Sequence, residues 1–248
     1  MSEAVFEGHR TYRVRGPGVA AVVAVGLAAL AMLAIAVLLW AITVTVDRPG
    51  AAVDENGLTQ LERLLEPVEW GYVGAQALAL VLTMIWLWRA RKNLDAFPGT
   101  EPLFSAGWAI GGWFFPIANL FVPGRLMANL ARQSSREWWV RAAAVVWWCA
   151  LVVHFAVDRV TNTAAETSLG RSGYGAWSEY YRDLAVGDTV AGAAGVLAAA
   201  AFALTVSRVS AAQEERIHRG WYEEQSRVMG VTRSPAAPDG GGSATIGA

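Results

Sequence analysis

The sequence is short of most side chains from which catalytic and metal centres are built. Among 248 residues it has a single cysteine, Cys149, and three histidines. One cysteine excludes an internal disulfide and any zinc site that needs several thiolates. No phosphate-cradling loop, nucleophile elbow or metal-ligand spacing is present, so neither an enzymatic activity nor a cofactor is expected. Lysine is nearly missing as well: Lys92 stands alone beside nineteen arginines, which with the abundant Ala and Gly points to a GC-rich, bacterial genome. A net charge of −1 supplies no overall pull towards nucleic acid.

Charge is scarce where it matters most. Only 17% of residues are charged against 54% hydrophobic, too apolar for an ordinary soluble domain. Four apolar runs approach the roughly 20 residues that cross a bilayer, at residues 19–46, 71–88, 142–157 and 189–206. The first reads as a retained signal anchor, since its core far exceeds a cleaved signal's apolar stretch. Within these runs the titratable side chains are Cys149 and His154, with Tyr72 at an edge. Ion-coupled carriers usually keep ionisable groups inside their spans. The Cys149 side chain is expected to be a small buried apolar group. His154 is expected near the outer end, pairing with Asp158 one helical turn on.

These features predict an all-α, polytopic membrane helix bundle with four transmembrane helices. The expected organisation is a cytoplasmic N-terminal segment over 1–18, a membrane domain over 19–206, a cytoplasmic helix over 207–230 and a disordered tail over 231–248. Orientation follows from the arginines, because cytoplasmic loops retain basic residues. With both termini in the cytoplasm, fifteen basic residues fall inside and five outside. Were residues 107–122 also to cross, the split would become nine inside and eleven outside. The expected location is therefore the cytoplasmic membrane, in a four-span arrangement.

The stretch "GWAIGGWFFPIANLFVPGRLMANLARQS", 107–134, fits none of the spans. Its apolar part is too short to cross, and Pro116 interrupts helical bonding. It predicts a re-entrant or interfacial segment over about 107–122, with Pro116 and Asn119 shaping the turn. Gly107, Gly111 and Gly112 would allow close approach to a neighbouring helix. From Pro123, an expected first helical residue, Leu126, Met127 and Leu130 would share an apolar face opposite Arg125, Asn129 and Arg132.

Small residues recur every four positions at Ala20, Ala24 and Ala28, at Gly71, Ala75 and Ala79, and at Gly187, Ala191, Gly195, Ala199 and Ala203. These are expected packing seams. Trp40 and Trp70 would mark the outer interface, and Trp86, Trp88, Trp138 and Trp139 the inner one. Between the spans, "LTQLERLLE" and "YGAWSEYYRDL" read as amphipathic outer loops, the second presenting Tyr174, Trp177, Tyr181 and Leu184 to the membrane surface. After the fourth span, Glu215 with Arg219 and Glu223 with Arg227 predict a solvated helix.

Polar residues gather at the inner side. Trp88, Arg89, Arg91, Lys92, Asn93 and Asp95 follow the second span, and Asn119, Arg125, Asn129 and Arg132 follow the broken segment. Two readings stand: a basic collar for anionic headgroups, or a pocket between hairpin and second span that holds an anionic or peptide partner. "WLWRARKNLDAF" with "FSAGWAIGGWFFPIANLFVPGRLMANLARQS" resembles the bacterial membrane family called domain of unknown function 4328. The residues carrying it are Trp88, Arg89, Asn93, Gly107, Trp108, Trp113, Pro116, Asn119, Pro123 and Ser134. Gly124 and Arg125 depart from that pattern, where an aromatic residue would follow Pro123. The resemblance implies a multi-span membrane protein and no catalytic residue. The expected role is a non-enzymatic scaffold or regulatory partner, with a membrane protein or a second copy as partner; a small-solute pore or carrier gated by the 107–122 hairpin is the alternative.

Overall fold

A chain in hydrocarbon must close its backbone hydrogen bonds within each segment, and the apolar runs do so as helices. The computed structural model describes residues 5–6, 9–47, 55–169 and 174–228. A two-residue antiparallel pair, β1 (Val5–Phe6) and β2 (His9–Arg10), precedes six helices. These are α1 (Arg15–Val46), α2 (Glu55–Ala96), α3 (Trp108–Gly111), α4 (Pro116–Ser134), α5 (Trp138–Leu169) and α6 (Tyr174–Val228). The protein is all-α, and α1, α2, α5 and α6 are the four helices long and apolar enough to cross a membrane. The expected tail at 231–248 lies outside the described residues, as do the side chains of Glu223 and Arg227.

Each long helix outruns its apolar stretch. At 1.5 Å per residue, the 42 residues of α2 reach about 63 Å, twice the hydrocarbon thickness. The expected outer loops are therefore extensions of α2 and α6. Leu58, Leu61, Leu65, Val68 and Tyr72, three or four residues apart, pack on Ile35, Leu39, Ile42 and Val46 of α1 and on Tyr181 and Ala185 of α6. Tyr181 does not rest on a membrane surface: it is buried, and its hydroxyl donates to Glu62 at 2.7 Å. In the other direction, the expected separate helix from 207 continues α6. Its Glu215–Arg219 pair forms at 3.5 Å, on the solvent side.

The bundle is held at positions that lack bulk. α6 lies between α1 and α5, and α2 packs on the far side of α1. A Cβ on Gly187 would sit 2.0 Å from Thr161 Oγ1 of α5, one on Gly195 would meet His154 Nδ1 at 3.3 Å, and one on Gly192 would meet Leu33 of α1 at 3.5 Å. Gly187 and Gly195 thus let α6 approach α5 closely, as association without a hydrophobic driving force requires, while the Gly192 contact with α1 is an ordinary one. The seam predicted on α2 is weaker, with Ala79 buried but open space around Gly71. Hydroxyls in the apolar runs are satisfied internally: Thr43, Thr45, Thr189 and Thr205 each donate to the carbonyl four residues earlier, at 2.7 to 2.8 Å.

Two expectations are corrected here. Trp86 is not an interfacial residue but a centre of the core, fully buried, with Nε1 donating to Ser210 Oγ at 3.0 Å and its ring against Phe202. Gly18 makes the room, because a Cβ there would touch both Trp86 and Val206. Cys149 is exposed rather than buried, on the outside of α5. Trp40, Trp70 and Trp138 keep exposed rings, as belt residues do.

Replacing Gly187 with Val should lower thermal stability in detergent by about 1–3 kcal/mol through overpacking against Thr161. Gly71→Ala, in open space, should leave melting unchanged or raise it slightly. Equal melting of the two variants would remove the α5–α6 seam as a source of stability.

Candidate functional site

At the arginine-rich end, the polar residues expected to face a ligand face one another. Asn93 of α2 and Gln213 of α6 are both fully buried. The Asn93 Oδ1 accepts from the Tyr12 amide at 2.6 Å, while Nδ2 donates to the Tyr12 carbonyl at 2.9 Å and to Gln213 Oε1 at 3.0 Å. The Gln213 Nε2 donates onward to the Ala90 carbonyl and to Ser134 Oγ, each at 3.0 Å. One network therefore joins the N-terminal segment, α2, α4 and α6. Asn93 and Gln213 each use one acceptor site and both donors, which makes burial of two amides tolerable.

Arg91 is likewise spent internally. It is buried, with Nε donating to the Phe104 carbonyl at 2.5 Å and Nη1 to Asp95 Oδ1 at 2.6 Å. Asn129 is not on the outward face of α4 but buried, accepting from the Leu103 amide at 3.2 Å. Gln133 donates to the Glu101 carbonyl at 3.0 Å. The connection from α2 to α3 is thus tied to both α2 and α4. Trp88 meets Tyr12 edge-on, and Arg89 reaches the Arg13 carbonyl at 3.4 Å. Arg125 and Arg132 are exposed, and Asn119 is half-buried.

The broken segment forms a helical hairpin. Pro116 does not kink a helix; it is the first residue of α4, where its missing amide hydrogen costs nothing. Pro123 is buried inside α4 rather than at its start. Its missing N–H removes the helical bond to the Asn119 carbonyl four residues earlier, and the next carbonyl, that of Leu120, accepts Nε1 of Trp148 of α5 at 3.0 Å. The Asn119 backbone N–H bonds to the Phe115 carbonyl at 2.7 Å, a helical bond that any residue with an amide hydrogen would make there.

The glycines divide differently from expectation. Gly111 has open space around it, and Gly107 meets only Ser105 Oγ, at 4.0 Å. Gly112 closes the hairpin on itself, since a Cβ there would lie 2.8 Å from Val122 Cγ1. The residue that docks α4 on α5 is Gly124, where a Cβ would fall 2.4 Å from the Trp148 ring. Trp113 packs edge-on to Trp148, and Trp108 lies against Phe104. Beyond these contacts Phe114, Phe115 and Ile117 project outward, 70%, 62% and 79% exposed.

A second polar cluster lies at the acidic end, and it is less complete. His154 is buried, with Nδ1 2.8 Å from the Ala191 carbonyl and Nε2 2.9 Å from the Tyr72 hydroxyl. A carbonyl only accepts, so Nδ1 carries the proton and a neutral ring takes the Tyr72 proton at Nε2. The expected His154–Asp158 pair is replaced by these two bonds. Asp188, just before the apolar run 189–206, is buried with Oδ1 unpartnered among the described residues. Burial, then the facing carboxylates of Asp158 and Glu69, push its carboxyl up to about 7. The described residues contain no grouping of three or more His, Cys, Asp or Glu able to hold a metal ion.

Gln213 and Gly124 were the residues hardest to find in the sequence. Gln213 opens an evidently charged stretch, yet Phe202, Val206, Val209 and Gln213 recur at helical spacing, and this extends the buried stripe of α6 to it. Gly124 stood out only as a departure from an expected aromatic residue.

The family model described as "Domain of unknown function (DUF4328)" matches residues 51–211, which takes in the hairpin and both polar clusters apart from Tyr12 and Gln213. No curated protein and no solved structure matches the chain significantly.

Gly124→Leu should separate α4 from Trp148 and lower thermal stability by about 1–3 kcal/mol, whereas Gly111→Leu should melt like the wild type. The reverse ranking would place the docking contact at Gly111. Asn93→Ala strands the Gln213 and Tyr12 groups in the core, and should cost a further 1–3 kcal/mol by the same measurement.

Proposed function

The chain belongs to the DUF4328 family, whose description assigns no function, and from the arrangement of its helices we propose that it acts as a non-enzymatic scaffold or regulatory partner in the cytoplasmic membrane. Its distinguishing part is a hairpin that enters the bilayer from the basic side and returns. One observation carries the reading: the hairpin lies through Trp113 and Leu120 against Trp148, inside the apolar run 142–157, while Phe114, Phe115 and Ile117 at its tip are exposed. Such a cluster is unfavourable in water and at home in hydrocarbon or against another apolar helix. A partner helix or a second copy would meet it there.

The polar side chains beneath the hairpin support the same reading, because Arg91, Asn93, Asn129 and Gln213 are occupied by the chain's own groups. What remains outward is a collar of Arg125, Arg132, Arg136 and Arg141, all exposed. Each contributes about 1 kcal/mol of attraction to anionic headgroups. The collar lies at the cytoplasmic face by the positive-inside rule, with both termini on that side.

Two measurements test the arrangement. In a Cys149→Ser background, an impermeant thiol reagent on intact cells should label a cysteine at Thr163 and spare one at Glu137; the opposite pattern would invert the topology. A spin label on Ile117→Cys in vesicles should be relaxed by oxygen and shielded from an aqueous nickel chelate, and preferential relaxation by nickel would remove the hairpin from the bilayer. Solute flux through liposomes holding only this protein, lost in Asn119→Ala, would replace the scaffold with a pore.

A further inference from the structure

The acidic-end cluster sits apart from the hairpin and plays no part in the scaffold reading. Its members come from three helices: Glu69 and Tyr72 on α2, His154 and Asp158 on α5, and Asp188 on α6. From α1 the buried residues at this end are Leu39, Ile42, Thr43 and Val46, none titratable. Two of the titratable groups are fixed by bonds, Tyr72 and His154, in a chain that ends on the Ala191 carbonyl. Asp188 lies one turn before Ala191 on the same helix, keeps 7% of its surface exposed, and has one carboxyl oxygen without a donor.

An ionised carboxylate in that position has lost much of its water without gaining a full set of donors, and two further carboxylates face it. A neutral carboxyl avoids most of both costs. We propose that Asp188 is a proton-binding site whose occupancy controls how α6 packs against α5 and α1. With the proton bound, α6 stays seated through three neighbouring contacts: Gly187 on Thr161, the Thr189 hydroxyl receiving the Trp40 indole proton at 2.9 Å, and the Ala191 carbonyl receiving the His154 proton. When the proton leaves to solvent, the charged side chain is drawn towards water and away from Asp158, and those contacts are strained. The ligand is the proton itself, and the inference does not depend on which way the chain is inserted.

The sign is fixed by the raised affinity. Stability from a group that binds its proton more tightly when folded is present at low pH, and is lost as pH rises through about 7. The full-length protein in lipid nanodiscs should therefore melt a few degrees lower for each pH unit between about 4, the ordinary carboxylate range, and about 7, and change little from this group above pH 8. Asp188→Asn should flatten this slope and melt above the wild type at pH 9. Asp158→Asn should end the slope at lower pH, because removing a neighbouring negative charge favours the ionised form of Asp188. Glu215→Gln, an exposed carboxylate elsewhere on α6, should leave it unchanged. A wild-type melting temperature that is flat or rising from pH 4 to 7 overturns the proposal even if Asp188→Asn fails to fold. An identical slope in wild type and Asp188→Asn overturns it as well.

Discussion

A polar group carried into hydrocarbon must find its partner inside the protein, and the arrangement of this chain follows from that requirement. In the apolar runs the solution is local, with threonine hydroxyls turned back on their own helix. At the arginine-rich end it is tertiary, with Asn93 and Gln213 joining four parts of the chain. Asn93 and Gln213 lie past the apolar runs but are fully buried in protein, where a broken bond leaves no water to replace it. The network therefore fixes the register of α2 against α6, and it places the N-terminal segment and the end of α4 at the same time. Trp86 extends this fixing one turn deeper, since its indole nitrogen is bonded to Ser210 and its ring lies across Phe202.

Apolar packing has a different part in the bundle. Leucines gain little by exchanging lipid for each other, so the helices come together where side chains are missing. Gly18 admits Trp86, Gly187 admits Thr161, and Gly124 admits Trp148. In each pair one residue's lack of a Cβ fits another's bulk. The hairpin belongs to this scheme, since it is held at one flank by Gly124 and closed on itself by Gly112, while its tip is left uncovered.

Much of this was legible in the residues. Helices over the four apolar runs follow from length and hydropathy, because hydrocarbon leaves the backbone little choice. Small-residue spacing identified the α6 seam. The role of Pro116 was read as interruption when it is initiation: the same missing amide hydrogen serves both, and the difference lies in whether a helix precedes it. Gly111 and Gly124 could not be ranked from sequence, since a glycine's value depends on what stands opposite. For Gly124 that is Trp148, 24 residues away. Arg91 and Asn129 looked like groups awaiting a ligand because their partners are backbone atoms at Phe104 and Leu103, which carry no sequence signature.

The two polar clusters differ in a way that gives the bundle a direction. In the network around Asn93 and Gln213 each amide makes three bonds, so little is gained by rearrangement. Around His154 the ring is satisfied on both nitrogens, yet Asp188 beside it is not. A joint with all its bonds made is fixed under all conditions that leave the fold intact; a joint with a buried carboxyl short of a donor changes with the occupancy of that carboxyl. α6 runs through both. A helix held firmly at one end and conditionally at the other can pivot only about the firm end, so any movement begun at Asp188 is greatest at the acidic end and fades towards Gln213.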